Sequence, residues 1–252
     1  MAKIVAVANQ KGGVGKTTTA VNLAACVAAK GNRVLLCDFD PQGNASSGVG
    51  YQEDDGATIY EVMLGEASAK QAIRPGKYCD LLPGSIQLAA MELQLASGVR
   101  KERHLKDALD YVRDQYDYIF IDCPPSLGLL TVNALVACDT VLVPMQCEYY
   151  SLEGLSQLVT SIRAVKRSMN PNIDIEGILL TMYDGRTNLT IQVAEEVKKY
   201  FGKKVYKTVI PRNVRLSEAP SHGLPILAYD RTSRGALAYG AVAEEFLSKN
   251  RR

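Results

Sequence analysis

The segment AKIVAVANQKGGVGKTTTA, residues 2–20, constrains the fold more than any other. Its first half is a continuous apolar, β-branched run, which reads as a strand buried on both faces. Gly12, Gly13 and Gly15 follow, then Lys16 and a run of threonines that opens a helix predicted from Thr17 to Lys30, with Gly31 as its stop. A strand, a glycine loop and a helix in that order let backbone N–H groups converge on an anion, and the helix dipole adds to the attraction. In such a loop Lys16 supplies a point charge for the β and γ phosphates. The Thr17 hydroxyl suits Mg²⁺, and Thr18 can donate to the α phosphate.

The same alternation continues along the chain. Apolar runs predict strands at 33–40 (RVLLCDFD), 116–125, 139–145, 175–184 and 203–210 (KKVYKTVI). Between and after them, helical spacing predicts helices near 129–137 and over 152–168, 190–201 and 234–249. Residues 43–60 and 65–86 carry Gly and Pro and read as long loops. Flat apolar strands alternating with helices point to an α/β fold: a doubly wound, mostly parallel sheet flanked by helices, with residues 1–252 as a single domain. Ligands of such sheets bind at the carboxyl ends of the strands, so the loops after Ala8, Asp38, Asp122, Pro144, Met182 and Ile210 are the ones to inspect.

Composition narrows the function class. Lysine plus arginine come to 29 and aspartate plus glutamate to 27, a net charge of +2. Bulk attraction to nucleic acid or membrane is therefore not indicated, and any such binding needs a local patch. No apolar run approaches the ~18 residues of a membrane helix. The first ten residues read as a strand, because a signal peptide needs a longer apolar region. The six cysteines, with no CxxC pair, read as small buried hydrophobes in a reducing cytosol.

A second lysine, Lys11, stands on the outer edge of the loop. The stretch KGGVGKTT (11–18) resembles the deviant Walker A motif of the ParA/MinD ATPase family. The segments DCPPSLGLLTVNAL, QCEYYSLEGLSQL and YKTVIPRNVRLSEAPSHG are most like its chromosomal Soj/ParA subgroup, and the likeness runs from Lys3 to about Gly240. The resemblance implies the P-loop NTPase fold and ATP with Mg²⁺ as cofactors. Lys11, Gly12, Gly13, Val14, Gly15, Lys16, Thr17 and Thr18 would hold the phosphates, with Lys11 reaching into the opposite subunit of an ATP-bound homodimer. Asp38 and Asp40, in DFDPQGN, match the family's switch I. Asp40 would orient the attacking water and Asp38 would order the magnesium shell, and strand alternation is expected to separate their roles. Asp122, in IFIDCPPS, matches the Walker B aspartate and would hold Mg²⁺ through water. Pro211 and Asn213 would contact the adenosine.

The same resemblance implies an ATPase of slow intrinsic turnover that would partition chromosomes or plasmids. Its ATP dimer would bind double-stranded DNA without sequence preference, through Arg186 and Arg215. A ParB-type partner would stimulate hydrolysis and release it. The first strand starts at Lys3, as expected of the short type without a helix-turn-helix domain, in the cytoplasm and on the nucleoid when ATP-bound. The main alternative is a MinD-like membrane-cycling ATPase. That reading needs a basic amphipathic C-terminal helix, whereas ALAYGAVAEEFLSKNRR reads as a helix packed on the domain, so no stable membrane association is expected. An iron–sulfur reductase lacks a suitable cysteine loop, and Asp40 argues against a module that binds nucleotide without hydrolysing it.

Overall fold

The computed structural model describes residues 1–94 and 101–251. Its strands are β1 (Lys3–Val7), β2 (Val34–Asp38), β3 (Asp80–Leu82), β4 (Tyr118–Asp122), β5 (Thr140–Gln146) and β6 (Asp174–Thr181). They form one sheet in the order β3-β2-β4-β1-β5-β6, with every pairing parallel. The helices are α1 (Lys16–Ala28), α2 (Asn44–Gly48), α3 (Ile59–Leu64), α4 (Ala69–Ala72), α5 (Leu88–Gln94), α6 (His104–Asp110), α7 (Leu129–Ala137), α8 (Ser151–Ser168), α9 (Asn188–Phe201), α10 (Val214–Glu218), α11 (Ile226–Tyr229) and α12 (Arg234–Lys249).

Alternation along each strand divides the core into two layers. Val5, Val7, Leu36, Phe120, Leu142 and Leu179 pack against α1 and α12, where Leu23, Val27, Tyr239 and Phe246 meet them. Ile4, Ala6, Leu35, Ile121, Val143 and Leu180 face the other way, onto Ala134 of α7, Leu155 and Leu158 of α8 and Val197 of α9. All six cysteines are buried and free. Among the described residues, no helix is long and apolar enough to cross a membrane.

Two expectations need correcting. The sixth strand of the sheet is β3, three residues inside the expected loop 65–86, whereas 203–210 is not a strand. That segment follows the edge of β6 at its ends only: Tyr206 N donates to Ile178 O (2.9 Å) and Ile210 N to Leu180 O (2.8 Å). Between them, the amides of Lys207 and Thr208 donate to the Glu245 carboxylate of α12 (2.9 and 3.1 Å), which draws the backbone off the ladder. Loop 43–60 likewise contains α2 and the start of α3.

Candidate nucleotide-binding site

β1 ends at the middle of the sheet, with Val7 in register with Asp122 of β4 and Leu142 of β5. The chain then turns through residues 8–15 into α1. Gly13 (φ 73°) and Gly15 (φ 86°) adopt the left-handed backbone that side chains disfavour. Gly15 is the N-cap of α1 and brings no capping side chain. Thr58, Ser68, Thr187 and Ser233 do cap α3, α4, α9 and α12. The first amides of α1 thus keep their donors, and the positive end of the helix dipole, for something outside the helix.

Neighbouring strand ends brace the loop. Asn9 Nδ2 donates to Pro144 O (2.8 Å), and Asn9 Oδ1 accepts from Lys11 N (3.0 Å). Thr181 Oγ1 donates to Val14 O (2.8 Å). Gln146 Nε2 donates to Gly13 O (3.0 Å) and lies 2.7 Å from Met182 Sδ. Met182 (φ 48°) is the one non-glycine left-handed residue among those described, and it ends β6 where the expected strand ran on to 184. Sequence reasoning assigned no role to Gln146, Thr181 or Met182. Their place at the carboxyl ends of β5 and β6 was the available signal.

The two loop lysines behave differently. Lys16 is buried, and its Nζ donates to Lys11 O (3.2 Å). Burial lowers its pKa, against the raising effect of Asp122 first, then Cys123 and Asp40. Lys11 instead reaches over the rim, with Nζ 2.5 Å from Glu148 Oε2 and side chains 34% and 50% exposed. Ion pairs this exposed contribute about 0–1 kcal/mol, so the ammonium is readily exchanged to another anion.

Asp38 and Asp122 sit in direct register on β2 and β4, and neither is exposed. Neither Asp122 oxygen has a hydrogen bond of ordinary geometry among the described residues. Burial, then the Asp38 charge, raises its pKa well above the usual carboxylate range, opposed by the Thr17 hydroxyl and Lys16. Asp38 is better satisfied. Ser46 N and Oγ each donate to its Oδ2 at 2.7 Å, and burial still pushes it up to about 6. The loop after β3 lies so close that a Cβ on Gly84 would stand 2.9 Å from Asp38 Cγ. Alternation does not separate Asp38 from Asp40, since positions two apart share a strand face. β2 instead stops at Asp38, and Asp40, beyond it, accepts from Gln42 N (3.0 Å). A buried carboxylate without donors, beside a threonine hydroxyl, is a hard-oxygen set that fits Mg²⁺.

Beside the loop lies a cavity of about 540 Å³ lined by Gly15, Thr18, Met182, Pro211, Arg212 and Asn213. Its size suits a nucleoside. Asn213 Oδ1 caps α10 by accepting from Leu216 N (3.3 Å), which leaves its amide NH₂ for a ligand. Arg186 and Arg215 do not line it. Arg186 grips Asp184 through Nε and Nη2 (2.8 and 2.7 Å), and Arg215 Nη1 pairs with Glu218 (2.8 Å).

What folds this way, and turns uncapped amides and a buried lysine toward one end of a parallel sheet, is a P-loop nucleotide-binding protein of the deviant Walker A class. A family model described as an AAA domain matches residues 2–175. The sporulation initiation inhibitor protein Soj of Bacillus subtilis is 58% identical over 97% of this chain and 98% of its own. The chromosome partitioning protein ParA of Myxococcus xanthus is 51% identical over 98% of this chain and 89% of its own. Among solved structures, cobyrinic acid a,c-diamide synthase of Mycobacterium smegmatis, with a bound ATP analogue and magnesium, matches with a TM-score of 0.89 and 36% identity, over 100% of this chain and 96% of that one. The chain belongs to the ParA/Soj family of deviant Walker A ATPases.

Proposed function

We propose that this chain is an ATP-driven switch for DNA partitioning, closed by nucleotide into a face-to-face homodimer and opened by hydrolysis. The carrying observation is the division of labour between its lysines. Lys16 stays inside its own loop, while Lys11 turns to the rim, where a second subunit's phosphates can accept it. Phosphoryl transfer needs such a cation to neutralise developing charge. Residues 11–18 cradle the triphosphate, and Pro211 and Asn213 hold the adenosine. Thr17 and Asp122, with Asp38 ordering the surrounding waters, hold Mg²⁺, which when bound neutralises charge on the phosphates. Asp40 orients the attacking water.

Gly12 supports the same reading. Its φ is not positive, and among the described residues nothing lies within 4 Å of where its Cβ would sit. A single subunit gives no reason for glycine there, so Gly12→Val should fold, bind ATP and remain monomeric.

The closed dimer binds DNA nonspecifically, and a ParB-type partner stimulates hydrolysis. Arg186 and Arg215 must exchange their carboxylate partners for DNA phosphates, a modest cost for exposed pairs. Arg212, Arg231 and Arg234 are exposed nearby in the chain and make no ion pair among the described residues, so they add charge without exchange. The apolar side of α12 is buried through Tyr239, Val242, Ala243 and Phe246, which favours DNA over a membrane surface. The test is retention of the protein on DNA with ATP, ADP or no nucleotide, with and without a candidate ParB. ATP-specific retention that ParB abolishes is expected; equal retention in all three states would refute the switch.

A further inference from the structure

The segment after β5 carries a feature that nucleotide binding leaves unexplained. Gln146 bonds the loop at Gly13 and Glu148 bonds it at Lys11, so residues 146–148 run along the rim of the phosphate loop. The next two residues, Tyr149 and Tyr150, are 73% and 71% exposed. Their rings form an edge-to-face pair, with centroids 5.2 Å apart and planes at 87°. Two large aromatics standing in water beside a charged rim are costly for an isolated subunit and typical of the centre of an interface.

We infer that Tyr149 and Tyr150 are the aromatic anchor through which a second copy of this chain closes on the nucleotide face, an inference that rests on the dimer proposed above. Two observations identify the occupant. The rim carries a cation and a carboxylate already matched to each other, Lys11 and Glu148. Across a two-fold axis such a pair is self-complementary: each subunit's lysine leaves its own glutamate and meets the other subunit's anions. Gly12, on the same rim, leaves room that the chain itself does not use. The tyrosines follow Glu148 directly, so a copy docked over Lys11 and Gly12 covers them. Tyrosine serves this place well, since a rigid ring gives large contact area and its hydroxyl tolerates water in the open state.

The test is sedimentation velocity with Mg²⁺ and a hydrolysis-resistant ATP analogue, on the parent, a Tyr149→Ala/Tyr150→Ala variant and a Tyr149→Phe/Tyr150→Phe variant. The alanine pair should raise the dimer dissociation constant by about 30-fold or more, while the phenylalanine pair stays near the parent. Unchanged thermal melting and nucleotide affinity of the isolated subunit establish that the alanine variant is folded. Amide hydrogen exchange on the parent needs no substitution: residues 147–151 should slow when the analogue is added. If the parent dimerises and the alanine variant dimerises equally, the inference fails while the dimer stands. A parent that never dimerises overturns both. An alanine variant with normal dimerisation but no stimulation by ParB would assign the tyrosines to another protein and overturn the inference.

Discussion

The two ends of this sheet bury carboxylates in opposite ways. At the amino end, Glu176 of β6 is only 8% exposed, yet Lys3, Asn250 and Thr140 all donate to it. Those donors hold its pKa below the ordinary carboxylate value despite burial. At the carboxyl end, Asp122 is more deeply buried, finds no donor of good geometry, and shifts upward. At the amino end, the buried carboxylate is matched by its donors as folded. At the carboxyl end, the buried Asp122 carboxylate and the uncapped first amides of α1 are open to a nucleotide and its Mg²⁺. Buried polar groups without partners are expensive, so leaving several at one place is a mark of function rather than of poor packing.

The largest expected effect separates the ends most clearly. Asp122→Asn should lower ATP turnover by at least ~10²-fold. Its stability without nucleotide should hold or rise by up to about 2 kcal/mol, because a buried ionisable carboxyl without donors, beside the Asp38 carboxylate, has gone. Glu176→Gln should behave conversely, leaving turnover intact and lowering stability by about 1–3 kcal/mol through lost charge-assisted hydrogen bonds. Thermal melts and phosphate release on the two variants measure both quantities, and matching signs in stability would break the comparison.

The glutamate also predicts a pH dependence. Its folded pKa lies below the ordinary 4.5, so its contribution is fully present above that value and is lost as pH falls through the folded one. The stability gap between parent and Glu176→Gln should stay level from neutrality to about pH 5 and shrink below it, as denaturant titrations at several pH values would show. The smallest effect is at a capped helix. Thr58 caps α3 by accepting from Tyr60 N (3.2 Å), so Thr58→Ala should cost about 1 kcal/mol and leave nucleotide affinity unchanged.

Much of this was legible in the sequence because it is local. Strands β1, β2, β4, β5 and β6 announce themselves as apolar runs, and the glycine–lysine–threonine order after β1 implies an anion at the helix start. The strand-end aspartates and the outer lysine were also readable as residues. What escaped depends on distant partners. β3 is three residues long and is a strand because β2 pairs with it, not because its composition says so. The 203–210 segment leaves the ladder for Glu245, which lies 38 residues from Lys207. Nothing next to Met182 signals its left-handed backbone. The carboxylate partners of Arg186 and Arg215 are local by contrast, Asp184 and Glu218 standing two and three residues away, and were within reach of the sequence.

The central claim is that each nucleotide site is completed by the other subunit's Lys11. Mixing two impaired variants, Lys11→Ala and Asp40→Ala, tests it directly. In a mixed dimer, the site with its own Asp40 faces a partner with an intact lysine. ATP turnover should therefore recover to at most about one quarter of the parent value, since random pairing makes half the dimers mixed and completes one of their two sites. Turnover equal to the average of the two variants measured separately would mean that Lys11 serves only its own subunit, and would contradict the account.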